Sequence, residues 1–104
     1  MVEIPDSHPR KRSLLSRQKI VEGSLRGLLA DSAMIAHGRG EAFDYLLGER
    51  TTESAGSAIR EAAARLIAAN HPVISVNGNT VLLAGKQALR LAAVLGCAVE
   101  VNLY

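Results

Sequence analysis

Between Val73 and Leu103 the sequence reads as strand, helix and strand. Val73-Ile74-Ser75-Val76 is β-branched and apolar on both faces, as a strand buried in a parallel sheet must be. Within Lys86–Leu95, residues Ala88, Leu91, Ala92 and Leu95 share one helical stripe, and Gly96 suits the residue after a helix end. Val99 to Leu103 is the second strand. Such a unit of about 30 residues is βαβ, whose crossover is right-handed almost without exception. It requires an α/β fold: a three-layer core with parallel strands. Two strands are too few for an independent sheet, and parallel sheets take helices on both faces. The fold is therefore expected to be incomplete, with an apolar strand edge that favours association.

Helices are expected before this unit. Ser7 is placed to cap a helix with Pro9 in its first turn. Leu14, Val21, Leu25 and Leu28 fall on one stripe, and Arg10 and Arg17, seven apart, share a face with Ser13 between them. Gly27 is placed to end this helix. Ala33–Ala36 is short and apolar, and His37-Gly38-Arg39-Gly40 reads as a glycine-bearing turn before a short helix from Glu41 to Leu47, closed by Gly48. Thr51 or Thr52 caps the next helix, whose apolar stripe is Ala55, Ile59, Ala62, Ala63 and Leu66, ending at Asn70 before Pro72. The division is a helical segment 7–70 and a βαβ unit 73–103.

Charge is unevenly spread along the 104 residues. The net formal charge is +2, yet Ser7 to Ile20 holds five basic residues and no acidic one. Such a cluster serves nucleic acid or a phosphorylated small molecule. Aromatic content of 3% starves any base-stacking platform, so no nucleic acid partner is expected. No apolar run approaches the about 20 residues of a membrane span, so no membrane association is expected. Met1–Arg12 lacks the apolar core of a signal peptide. Cys97 is the sole cysteine, which excludes an internal disulfide and a multi-cysteine zinc site. A cytoplasmic location is the expectation.

The densest candidate site is His37–Tyr45. Backbone N–H groups of Gly38 and Gly40, next to a helix start, would form an anion nest, and Arg39 would add a two-pronged contact for phosphate or carboxylate. A solvated surface loop is the competing reading. Glu41 and Asp44, three apart, are candidates for holding an amine or a metal ion. Asn77-Gly78-Asn79 stands at the carboxyl end of the first strand, where ligands of open α/β sheets gather; an ordinary turn explains it equally well. Gly78 to Lys86 does not fit a P-loop: six residues separate Gly78 from Gly85, and Gln87 replaces the hydroxyl residue.

Taken in order, several segments resemble the archaeal 4-phosphopantoate–β-alanine ligase (phosphopantothenate synthetase) family. They are Ser7-His8-Pro9-Arg10, Ser13-Leu14, Arg17, Ile20-Val21-Glu22-Gly23, the run Ile35–Glu49, and Pro72–Asn79. The resemblance covers essentially the whole chain as the N-terminal portion of a longer ligase domain whose C-terminal part is absent. It implies a Rossmann-like core, a homodimer, and ATP-dependent condensation of 4-phosphopantoate with β-alanine to give 4-phosphopantothenate, AMP and diphosphate. It also implies that Arg17 and Arg39 contact ATP, which brings magnesium. Beside it, Arg10, Gly38, Gly40, Asn77 and Asn79 are candidate phosphate or substrate contacts. His37, Glu41 and Asp44 are candidate acid/base or amine contacts, with no choice among them. The alternative is a noncatalytic fragment that only binds an anion or dimerises. Alone, residues 1–104 are expected to be inactive in ligation and prone to associate.

Overall fold

The computed structural model describes residues 3–102. Its elements are α1 (Lys11–Leu25), α2 (Asp31–Leu46), α3 (Glu53–Ala68), β1 (Val73–Asn77), α4 (Gly78–Leu95) and β2 (Ala98–Asn102). The two strands are parallel and in register from Val73 opposite Ala98 to Asn77 opposite Asn102. The chain is thus α/β, with a parallel βαβ unit preceded by helices, as the sequence requires. Leu103, expected in the second strand, lies outside the described residues.

Helix ends follow local chemistry. Ser7 does not cap α1. The His8 N–H donates to Pro5 O at 3.0 Å and the Lys11 N–H to His8 O at 3.1 Å, so the chain turns twice before Lys11. Thr52 Oγ1 accepts the Ala55 N–H at 3.2 Å and caps α3. Gly48, at φ 83°, closes α2 in the left-handed region that glycine tolerates.

Two expectations need correction. His37–Gly40 is not a turn, because α2 runs unbroken through it. Each internal glycine costs roughly 1 kcal/mol of helix propensity relative to alanine, but Ala33, Met34, Ala36, Glu41 and Ala42 around them are good helix formers, and polar ties to α1 hold the segment. The second correction concerns Asn77-Gly78-Asn79, which opens a helix rather than a turn. Asn77 Oδ1 accepts from the Thr80 N–H at 3.0 Å and from Thr80 Oγ1 at 2.9 Å. The helix therefore starts eight residues before Lys86, and Val81–Leu83 is helical. A kink at Ala84 (φ −142°, ψ 22°) separates its two halves.

Helix α4 organises the packing. It touches both strands, α1 and α2. Ile20 of α1, Val76 of β1 and Ala92 of α4 are the buried hydrophobic residues among those described. Elsewhere apolar surface is bare. Val73 and Ala98 pair on a sheet face they share with Ser75 and Glu100, and all four are exposed. On α3, Ile59 and Ile67 are exposed.

Gly78 is a contact point between α4 and the α1–α2 connection. A Cβ there would stand 2.4 Å from Leu29 Cδ2 and 3.1 Å from the Leu28 carbonyl oxygen. The side chain can yield, but the carbonyl cannot without moving the backbone. Gly78→Ala is expected to cost about 1–3 kcal/mol in urea unfolding. Gly85→Ala, where a Cβ meets nothing within 4 Å, is expected to stabilise by about 0.5–1 kcal/mol. Equal midpoints for the two variants would contradict this packing.

Candidate functional site

Helices α1 and α2 are joined by a polar junction rather than an apolar seam. Arg10 Nη2 donates to Ser13 Oγ at 3.2 Å, and the Ser13 hydroxyl donates to Glu41 Oε2. Arg10 Nη2 also lies 3.6 Å from that carboxylate oxygen. The other Glu41 oxygen is 3.3 Å from His37 Nδ1, one helical turn earlier on the same face. Arg17 Nη1 is 3.2 Å from the same Nδ1 and donates to the Met34 carbonyl at 2.7 Å. Arg10 and Arg17 therefore both face α2, as their seven-residue spacing requires.

Glu49 completes the junction from beyond the end of α2. Its φ is 53°, uncommon for a residue with a side chain. That backbone turn brings Glu49 Oε1 within 3.6 Å of Arg10 Nε. Arg10 also lies over the Tyr45 ring at 4.9 Å, within cation–π range. Its charge is thus engaged by two carboxylates and an aromatic face.

Beside this junction is a cavity of about 390 Å³, within the usual range for small-molecule sites. His37, Gly40, Glu41 and Asp44 line it from α2, and Arg12, Ser13 and Ser16 line it from α1; Glu49 and Leu83 complete the wall. Of the sequence candidates, the structure brings together His37, Glu41, Asp44 and Gly40, with Arg10 and Arg17 at the edges. Gly38 lies alongside Arg17, but its N–H and that of Gly40 belong to the interior of a helix, so no anion nest is formed there.

Arg39 does not join them. Two residues from His37 is about 200° around a helix, and Arg39 is exposed on the far face of α2 among exposed Ile35, Phe43 and Leu46. Asn77 caps α4. Asn79 Nδ2 donates to the Ala33 carbonyl at 3.2 Å, and its Oδ1 is buried with no protein partner. Sequence reasoning missed Glu49 and Tyr45 as partners of Arg10. The positive-φ turn at Gly48 and Glu49 brings Glu49 there, the pairing of α1 with α2 brings Tyr45, and no spacing rule announces either.

Fold and site define an α/β protein whose polar cleft lies between two helices that precede a parallel βαβ unit. The profile of the phosphopantothenate/pantothenate synthetase family matches residues 54–104. Over all 104 residues the chain is 55% identical to the 4-phosphopantoate–β-alanine ligase of Thermococcus kodakarensis, and 51% identical to that of Methanosarcina mazei. Over 101 residues, 97% of the chain, it is 55% identical to that of Methanospirillum hungatei. These matches cover 40%, 41% and 42% of the respective relatives, so the chain spans about two-fifths of their length. Over its whole length the chain is similar to proteins of this phosphopantothenate synthetase family. No helix among the described residues is long and apolar enough to cross a membrane.

The capping role of Asn77 is testable apart from any ligand. Asn77→Ala is expected to cost about 1 kcal/mol of stability, whereas Asn77→Asp, which keeps the acceptor and suits the helix N-terminus, should stay within about 0.5 kcal/mol of the parent. Urea unfolding of both variants checks this, and an unchanged Asn77→Ala midpoint would refute the cap.

Proposed function

We propose that this chain serves an ATP-dependent ligase of coenzyme A biosynthesis, which condenses 4-phosphopantoate with β-alanine to 4-phosphopantothenate, AMP and diphosphate. The carrying observation is identity of 51–55% to proteins named 4-phosphopantoate–β-alanine ligase across essentially the whole chain. Carboxylate and amine do not condense unaided in water. Adenylation turns the carboxylate into an acyl group with AMP as leaving group, and the amine nitrogen then attacks the acyl carbon. Carboxylate and triphosphate repel each other, so fixed cations must offset their charge, commonly the largest catalytic term. In this reading Arg17, which contacts the cavity residue His37, is the cation that meets the phosphates. Magnesium would arrive with the nucleotide and would offset phosphate charge.

The cavity wall suits the other substrate. Glu41, Asp44 and Glu49 outnumber Arg12 there. Arg10 offsets Glu41 and Glu49, while Asp44 is exposed and available to a cation. Such a wall favours the ammonium of β-alanine over a triphosphate, whose place is then nearer Arg17. Arg39, on the far face of α2, reaches nucleotide only from a second copy. The exposed Ile35, Phe43 and Leu46 around it support a homodimer contact on that face. Cytoplasmic location accords with this chemistry, which uses soluble phosphorylated substrates.

Calorimetric titration of ATP–magnesium into the chain tests the reading. Arg17→Ala is expected to weaken binding at least tenfold, about 1.4 kcal/mol, with Arg17→Lys a poor substitute wherever the contact is two-pronged. Binding unchanged within about twofold in Arg17→Ala, under roughly 0.5 kcal/mol, would overturn Arg17 as the nucleotide contact.

A further inference from the structure

His37 Nδ1 has two competing neighbours. Arg17 Nη1 stands 3.2 Å away and Glu41 Oε1 3.3 Å away. A neutral imidazole has one N–H and one lone pair, on different nitrogens. When Nδ1 accepts from Arg17, its lone pair confronts the Glu41 oxygen and the ring proton sits on Nε2. When Nδ1 carries the proton and donates to Glu41, its N–H confronts the Arg17 donors. Only one of the two contacts is satisfied at a time.

The surroundings decide which partner can leave. Glu41 is held by its other oxygen, which accepts from Ser13 and faces Arg10. Apart from His37 itself, Arg17 is held to α2 through the Met34 carbonyl among the described residues. A phosphate oxygen satisfies a guanidinium better than that neutral carbonyl. The His37 side chain is only 10% exposed, and the residue lines the cavity. With Nδ1 engaged by Arg17 and Glu41, the remaining ring nitrogen, Nε2, has no hydrogen-bond partner among the described residues.

We infer that His37 is the proton acceptor for the amine substrate, and that an anion captured by Arg17 switches it on. This inference rests on the proposed ligase reading. In the free protein Arg17 occupies the Nδ1 lone pair, and Nε2 bears a proton and accepts none. Drawing Arg17 onto a phosphate removes that donor. Through exchange with solvent, Nδ1 takes the proton and donates to Glu41, and the lone pair moves to Nε2. An ammonium in the cavity then gives its proton to Nε2: the ammonium N–H bond breaks, its electron pair stays on the amine nitrogen, and the positive charge passes to the imidazolium. That charge faces the Glu41 carboxylate. Glu41 is a positioning residue in this scheme. The order has a chemical use, because the amine becomes nucleophilic only where nucleotide is already bound.

The test is the tautomer of His37, read by long-range proton–nitrogen correlation on the 15N-histidine-labelled chain, with and without ATP–magnesium. The free protein is expected to show a protonated Nε2 and a bare Nδ1, and ATP–magnesium is expected to exchange them. In Glu41→Gln the Arg17 side-chain resonance should still respond to ATP–magnesium while the exchange of tautomers is lost. Three results overturn the inference alone: Nδ1–H already present in the free protein, an Arg17 response without a tautomer change, or a full exchange in Glu41→Gln. An Arg17 resonance indifferent to ATP–magnesium overturns the nucleotide reading and this inference with it. The comparison in the parent chain needs no variant, so a folding defect in Glu41→Gln leaves the test intact.

Discussion

The carboxylate of Glu41 is the point on which the helical half of the structure depends. It is half-buried between α1 and α2, a place where a charge without partners is costly. Ser13, Arg10 and His37 supply those partners. The alignment of α1 on α2 follows from this arrangement, because Ser13 lies in α1 and Arg10 directly precedes it, while Glu41 and His37 come from α2. Arg17 adds a second tie two turns along α1 from Arg10, at the Met34 carbonyl. Polar ties of this kind specify one register where sliding apolar faces would permit several.

The rest of the fold positions this junction. Asn77 starts α4 directly from the end of β1, so the first half of α4 lies beside α1 and the α1–α2 connection, where Gly23 and Gly78 let Leu82 and Leu29 approach. Leu83 from that half forms part of the cavity wall. The kink at Ala84 then allows the second half to cross back over the sheet toward β2. Side chains of α1, α2 and α4, together with Glu49, line the cavity, and no strand residue does.

Much of this was legible in the sequence. The β-branched run at Val73–Val76, the stripe from Ala88 to Leu95 and Gly96 led directly to the parallel βαβ unit. Thr52 and Gly48 marked helix ends correctly because capping is local chemistry. The failures share a cause. Glycine and asparagine signal turns through intrinsic preference, and at His37–Gly40 and Asn77–Asn79 the surrounding context outweighed that preference by a small free energy. In α2 the context is good helix formers and the ties to α1; at Asn77 it is a side chain that serves a helix start as well as a turn. The loss of the anion nest follows from the first of these. That Arg10 and Arg17 share a face was visible in their spacing, whereas the partners they meet depend on how two helices pair, which no local window encodes. Glu49 was invisible for the same reason.

The most direct test of this account is a double-mutant cycle between Ser13→Ala and Glu41→Ala, read by urea unfolding. A polar junction that fixes α1 against α2 predicts strong coupling, with the double variant departing from additivity by about 1 kcal/mol or more. Additivity within about 0.3 kcal/mol would contradict the account, since the two helices would then be held by something other than the contacts through Glu41.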